Sequence, residues 1–141
     1  MKKFMAFIMA AIMTVTFVGC GSGSVGSGSS DVDLTALSST MIYSEVSNMM
    51  MAPDEYIGKT IKMNGTFAAY YDEENDEYYY ACVIADATAC CQQGLEFALK
   101  DGGKYPDDYP EVGSEITVVG TFNTYEQGGY LYARLENAEM L

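Results

Sequence analysis

A chain of 141 residues with 20 acidic against 7 basic side chains, and a formal charge of −13, has room for one hydrophobic core and a surface that repels phosphate backbones. Nucleic acid is thereby excluded as a partner, whereas a cation, a basic partner or an uncharged saccharide is compatible with the charge. Histidine is absent, so neither a Ser-His nor a Cys-His nucleophile can be assembled, and no enzyme motif is present; the expected role is non-catalytic binding.

Lys2 and Lys3 precede an uncharged apolar run from Phe4 to Phe17, the order of a secretory signal. The run is shorter than the about 20 apolar residues that a membrane-spanning helix requires. It ends in Phe17-Val18-Gly19-Cys20, which resembles the lipobox of bacterial lipoproteins, with Phe17 standing where Leu is usual. Residues 1–19 are therefore read as a signal peptide and Cys20 as the lipidated first residue of the mature chain. The resemblance implies a diacylglyceryl thioether on Cys20, and more than one acyl chain turns marginal membrane binding into stable anchoring. The expected location is the extracytoplasmic face of the cell membrane, with the lipid bilayer as partner. Residues 21–30, Gly-Ser-Gly-Ser-Val-Gly-Ser-Gly-Ser-Ser, hold little that could be buried and read as a coil of roughly 17 Å root-mean-square reach. Residues 20–33 together form the expected linker to a domain over 34–141.

Asp31 and Asp33 suit a helix N-cap, and Leu34, Leu37, Met41, Ile42, Val46 and Met49 then recur at the spacing of one helical face. This predicts a helix over 34–51, ended by Pro53, which disfavours the helical conformation at Ala52. Met49, Met50 and Met51 read as adaptable core filler rather than a soft-metal site.

Five strands are predicted beyond the helix, at about 59–70, 77–86, 94–100, 114–123 and 129–137. The first and fourth echo each other: Gly58 to Phe67 and Gly113 to Phe122 share the pattern G-x-x-I-x-x-x-G-T-F. Ile61, Met63 and Phe67 fall on one face at period two, as do Ile116, Val118 and Phe122, while Gly65 and Gly120 mark sites where a strongly bent strand gives up its side chain. Five antiparallel strands with no second sheet must close on themselves to hide their edges. The expected fold is mainly β, a five-stranded Greek-key OB-like barrel preceded by one amphipathic helix. The run Tyr56-Ile57-Gly58-Lys59-Thr60-Ile61, the Gly-Thr-Phe endings, and Ala89-Cys90-Cys91-Gln92-Gln93-Gly94-Leu95-Glu96-Phe97 resemble a family of small uncharacterised bacterial lipoproteins with a single OB-fold-like domain. The resemblance covers most of residues 34–141 and implies a fold more than a ligand, since OB-folds host many functions.

Three features carry candidate chemistry. Cys82 in the second strand, Cys90 and Cys91 in the following loop, and Asp86 between them would make a thiolate-rich site for zinc or copper(I) if the loop folded back. A disulfide from Cys82 to Cys90 or Cys91, or plain packing of the thiols, competes with that reading, and a thiol-disulfide redox protein is a further alternative. The acidic loop 72–77 lacks the ligand order of a calcium loop and reads as a solvated hairpin tip. Tyrosines crowd the first and last hairpins, between which OB-folds hold their ligands, so a glycan- or peptide-binding surface would use Tyr78, Tyr80, Glu96, Tyr130, Tyr132 and Arg134. Period-two alternation in the second strand is taken to point Tyr79, Ala81, Val83 and Ala85 inward and Tyr78, Tyr80, Cys82 and Ile84 outward, and in the fifth strand to point Leu131, Ala133 and Leu135 inward. For the anchor, the Cys20→Ser chain should accumulate unprocessed or leave the membrane; detergent-phase partitioning of a processed Cys20→Ser protein would contradict the assignment.

Overall fold

The computed structural model describes residues 30–141; the expected signal peptide, Cys20 and the expected linker up to residue 29 lie outside the described residues. Strand β1 (Val32–Asp33) is followed by a 3₁₀ turn (Leu34–Ala36), helix α1 (Ser39–Met51) and a second 3₁₀ turn (Pro53–Glu55). Strands β2 (Thr60–Asp72), β3 (Glu77–Ala85), β4 (Gln92–Leu99), β5 (Glu115–Gln127) and β6 (Tyr130–Met140) complete the chain. Among the described residues no helix is long and apolar enough to cross a membrane.

The expected helix over 34–51 divides in two because Asp33 caps a tighter turn. Its Oδ1 accepts from the Thr35 N–H at 2.9 Å and from the Thr35 hydroxyl at 2.5 Å, and Leu37 is extended, so α-helix begins only at Ser39. Leu34, Val46 and Met49 are buried, whereas Met41, Met50 and Met51 are exposed, so one methionine of the triplet fills the core. The domain also starts before residue 34. Asp31 Oδ2 accepts from the Thr60 N–H at 2.8 Å, and Val32 and Asp33 pair in parallel with Ile61 and Lys62.

The five long strands form a closed ring. β2 pairs antiparallel with β5 over Thr60–Thr66 and with β3 over Thr66–Asp72, so it changes partner at Thr66. β3 pairs with β4, β4 with β6, and β6 with β5, which returns to β2; this is a Greek-key OB-like barrel. One pairing departs from the all-antiparallel expectation. The β4–β6 ladder is parallel, because the long connection 100–114 crosses the barrel before the β5–β6 hairpin brings the chain back beside β4.

Phe67, Phe97, Phe122, Ile61, Met63, Leu95, Val118 and Leu135 are buried within the ring, and α1 packs across β3 and β4. Each such side chain contributes about 1.5–3 kcal/mol by leaving water. Tyr109 closes over this core from the β4–β5 connection, stacked on Tyr80 at 3.9 Å and on Phe67 at 5.6 Å between ring centroids.

The side-chain parity of β3 is the reverse of that expected. Cys82 and Ile84 are buried and Tyr80 packs on the core, while Tyr79, Ala81, Val83 and Ala85 lie on the other face. The cause is Gly65, whose missing side chain leaves room for Cys82: a Cβ there would lie 2.8 Å from Cys82 Sγ and 2.5 Å from the Val83 carbonyl oxygen. In β6, Leu135 is buried as expected, but Leu131 is exposed because it belongs to the part of the β5–β6 hairpin that extends beyond the core.

Gly120 is equally hemmed in, since a Cβ there would meet Leu135 Cβ at 2.9 Å and the Glu136 carbonyl oxygen at 3.1 Å. Gly65→Ala and Gly120→Ala should each lower stability by about 1–3 kcal/mol, the cost of overpacking. Urea unfolding checks this, and unchanged midpoints would show that the strands relax freely at these positions.

Candidate functional site

β2 and β3 run beyond the ring as a long hairpin that turns at 72–77, and β5 and β6 do the same around Gly128 and Gly129. The two arms meet over the outer face of β4. Gln127 Nε2 donates to the Tyr79 hydroxyl oxygen at 2.6 Å, bridging the last hairpin to the first. Between the arms lies a groove of about 500 Å³, with Tyr70, Tyr79, Tyr125, Tyr130 and Tyr132 as its aromatic walls and Asp72, Glu74, Asn75, Glu96 and Gln127 as its polar groups. The tyrosine surface continues along the strands past Ala81 and Gly94 to Met50 of α1.

Register explains which tyrosines arrive here. Tyr70 lies opposite Tyr79 and Tyr71 opposite Tyr78 across the β2–β3 ladder, so one pair faces the groove and the other turns the opposite way. Tyr71 and Tyr78 pack at 4.9 Å, and Tyr105 covers Tyr78 at 4.7 Å. Of the six residues expected to bind ligand, Glu96, Tyr130 and Tyr132 line the groove and Arg134 lies beside it. Tyr78 and Tyr80 do not; they serve the aromatic packing under the 100–114 segment. Tyr70, Tyr79 and Tyr125 take their place. The signal for this exchange was present in the equal distances of Tyr70 and Tyr79 from the hairpin turn.

The floor of the groove is an ordered polar cluster. The Tyr125 hydroxyl donates to Glu96 Oε2 at 2.5 Å, Arg134 Nη1 lies 3.7 Å from Glu96 Oε1, and Arg134 Nη2 donates to Glu136 Oε1 at 3.1 Å. The Arg134 guanidinium stands 4.6 Å from the centre of the Tyr125 ring, which in turn stacks on Tyr132 at 5.4 Å. Arg134 is thus paired with two carboxylates while its buried Nε has no partner among the described residues, and the rim carries Asp72 and Glu74. Among the described residues no lysine or arginine lines the groove.

The thiols separate into two environments. Cys82 is buried in the core, where desolvation pushes its thiol up to about 12, so it drops out of the expected four-residue metal cluster. Asp86, Cys90 and Cys91 come together in the β3–β4 loop, with one donor atom from each inside 4.8 Å of the others. Cys90 Sγ and Cys91 Sγ are 3.5 Å apart, and their hydrogen bond pushes the Cys91 thiol up. Cys82, Cys90 and Cys91 are all free.

Comparison with protein-family models, with curated proteins and with solved structures finds no match.

Glu96 supplies a pH test of the floor. Burial holds its carboxyl above the ordinary 4.5, against the Tyr125 hydrogen bond and the Arg134 charge, which pull it down. A raised folded-state value means that folding favours the protonated acid. The stabilisation is complete below the unfolded-state value and is lost as pH rises through the folded-state value. Relative to Glu96→Gln, the native protein should therefore lose stability between about pH 4.5 and neutrality. Parallel unfolding free energies for the two proteins across that range would contradict this placement of Glu96.

Proposed function

We propose that this chain is a membrane-anchored, extracytoplasmic, non-catalytic binding module that holds an uncharged or amino-bearing saccharide in the groove between its two hairpin arms. The observation that carries the reading is the set of tyrosine faces left open around Glu96: Tyr70 and Tyr130 are 70% and 71% exposed although each sits on a strand beside a shaped cleft. Sugar rings present flat C–H faces that stack on such rings, and their hydroxyls suit the planar amide and carboxylate groups of Asn75, Gln127, Asp72 and Glu74. The negative rim and the two carboxylates beside Arg134 disfavour phosphorylated or carboxylated ligands. Anchoring through Cys20 would keep the groove among extracytoplasmic glycans. Thiol-disulfide chemistry has less support, since it needs a lowered thiol pKa, and the pKa values of Cys82 and Cys91 are both raised.

Tyrosine fluorescence provides the assay, because the chain has 12 tyrosines and no tryptophan. A neutral chito-oligosaccharide should quench it saturably. Tyr132→Ala and Tyr79→Ala should each weaken binding by roughly tenfold or more, as loss of an aromatic anchor does. Tyr78→Ala, on the opposite face, should leave affinity unchanged. Binding of oligolysine in place of the sugar would replace the saccharide reading with a basic-peptide one, and binding of heparin would overturn the electrostatic assignment of the groove.

A further inference from the structure

The loop that joins β3 to β4 lies at the opposite end of β3 from the groove hairpin and plays no part in the groove. We propose that Asp86, Cys90 and Cys91 form an exchangeable site for a thiophilic divalent cation of the zinc type. The proposal is independent of the saccharide reading, and either can fail alone.

The sulfur spacing, held by a thiol hydrogen bond, lies close to that of a tetrahedral chelate. A tetrahedral zinc with metal–sulfur bonds of about 2.3 Å and a metal–oxygen bond of about 2.0 Å sets its two sulfurs about 3.8 Å apart and the oxygen about 3.5 Å from each. The observed Sγ–Sγ distance is 3.5 Å, with an Asp86 oxygen within 4.8 Å of both. A linear sulfur–metal–sulfur arrangement with bonds of that length would need about 4.6 Å, and a disulfide about 2.05 Å. The loop therefore presents its thiols at the separation of a tetrahedral chelate.

The third donor is held in place by the loop itself. Asp86 Oδ1 accepts from the Thr88 and Cys90 N–H groups at 3.1 and 3.0 Å, while Asp86 N–H donates to the Cys91 carbonyl at 3.0 Å. Oδ2 receives only the Thr88 hydroxyl, at 3.1 Å, and keeps lone pairs for a cation. Hydrogen bonds of this kind orient a ligating carboxylate. Unlike Cys82, Cys90 and Cys91 are exposed, so packing does not account for them. The chain's charge of −13 draws cations towards it, and the absence of histidine leaves no imidazole to compete.

Metal binding would release the two thiol protons to solvent as two metal–thiolate bonds form. Three protein donors leave the fourth, outward position to water or to a donor from another molecule. That is the coordination of a site that accepts and hands on its ion, rather than of a closed structural one.

The test uses the full-length chain with no histidine tag, reduced and held in detergent, titrated with zinc chloride against a chromophoric chelator and with cadmium chloride while thiolate-to-metal absorption is followed. One equivalent of either metal should bind. Cys90→Ser and Cys91→Ser should each weaken zinc binding by roughly a hundredfold or more and remove most of the cadmium absorption, with the metal-free melting temperature unchanged. The double variant Cys90→Ser/Cys91→Ser keeps Cys82 and every carboxylate but two thiols fewer. Equal zinc affinity in that variant, or no stoichiometric binding by the reduced native chain, would overturn the site.

Discussion

The barrel depends on one self-complementary contact, the antiparallel pairing of the two G-x-x-I-x-x-x-G-T-F segments. In the β2–β5 ladder Ile61 lies opposite Gly120 and Ile116 opposite Gly65, so each copy places its isoleucine over the glycine of the other. The ends are tied in the same reciprocal way: Gly58 N–H donates to the Phe122 carbonyl at 2.9 Å, and Gly113 N–H to the Phe67 carbonyl at 2.9 Å. Both donors sit at left-handed φ, +82° and +93°, where a side chain is strained. The echo is thus an approximate local two-fold axis across the seam at which the sheet closes.

That seam also creates the groove. Because β2 leaves β5 at Thr66, its second half has only β3 as a partner, and the hairpin runs on as an arm. β5 and β6 form the second arm by the same logic on the other side of β4. A two-stranded arm has two uncovered faces and is marginal alone. Its inward face is covered by the 100–114 segment, through Tyr105 and Tyr109. Its outward face is left to Tyr70 and Tyr79, opposed by Tyr125 and Tyr132 from the other arm. Tyrosine suits both settings, since one end packs and the other is wet.

This division explains what the sequence could and could not reveal. The strands, their order of loops and the glycine echo were legible because they rest on period-two alternation and on residues with restricted roles. The parity of β3 was not, because both sets of alternating residues are apolar in its second half: Cys82 and Ile84 on one side, Ala81, Val83 and Ala85 on the other. The room for Cys82 comes from Gly65, a neighbour in space and not in sequence. The same error placed Tyr78 and Tyr80 in the ligand set and Cys82 in the metal set. Glu96 lines the groove because β4 alternates between apolar and polar residues around it, while Tyr130 and Tyr132 reach the groove from the part of β6 that runs beyond the core. The early helix start was misread because Asp33 caps either kind of helical turn equally well in sequence, and only Thr35 with both its N–H and its hydroxyl favours the shorter one.

The entry point of the described residues fixes which end of β2 carries the groove. β1 joins β2 at Ile61 and Lys62, and Asp31 bonds the Thr60 N–H. Asp86, Cys90 and Cys91 lie in the loop at the far end of β3 from the first hairpin turn. The tip of the first hairpin stands eleven residues further along β2, about 35 Å at strand rise and less with twist. The hairpin that walls the groove therefore projects from the end of β2 opposite to the one at which β1 joins it.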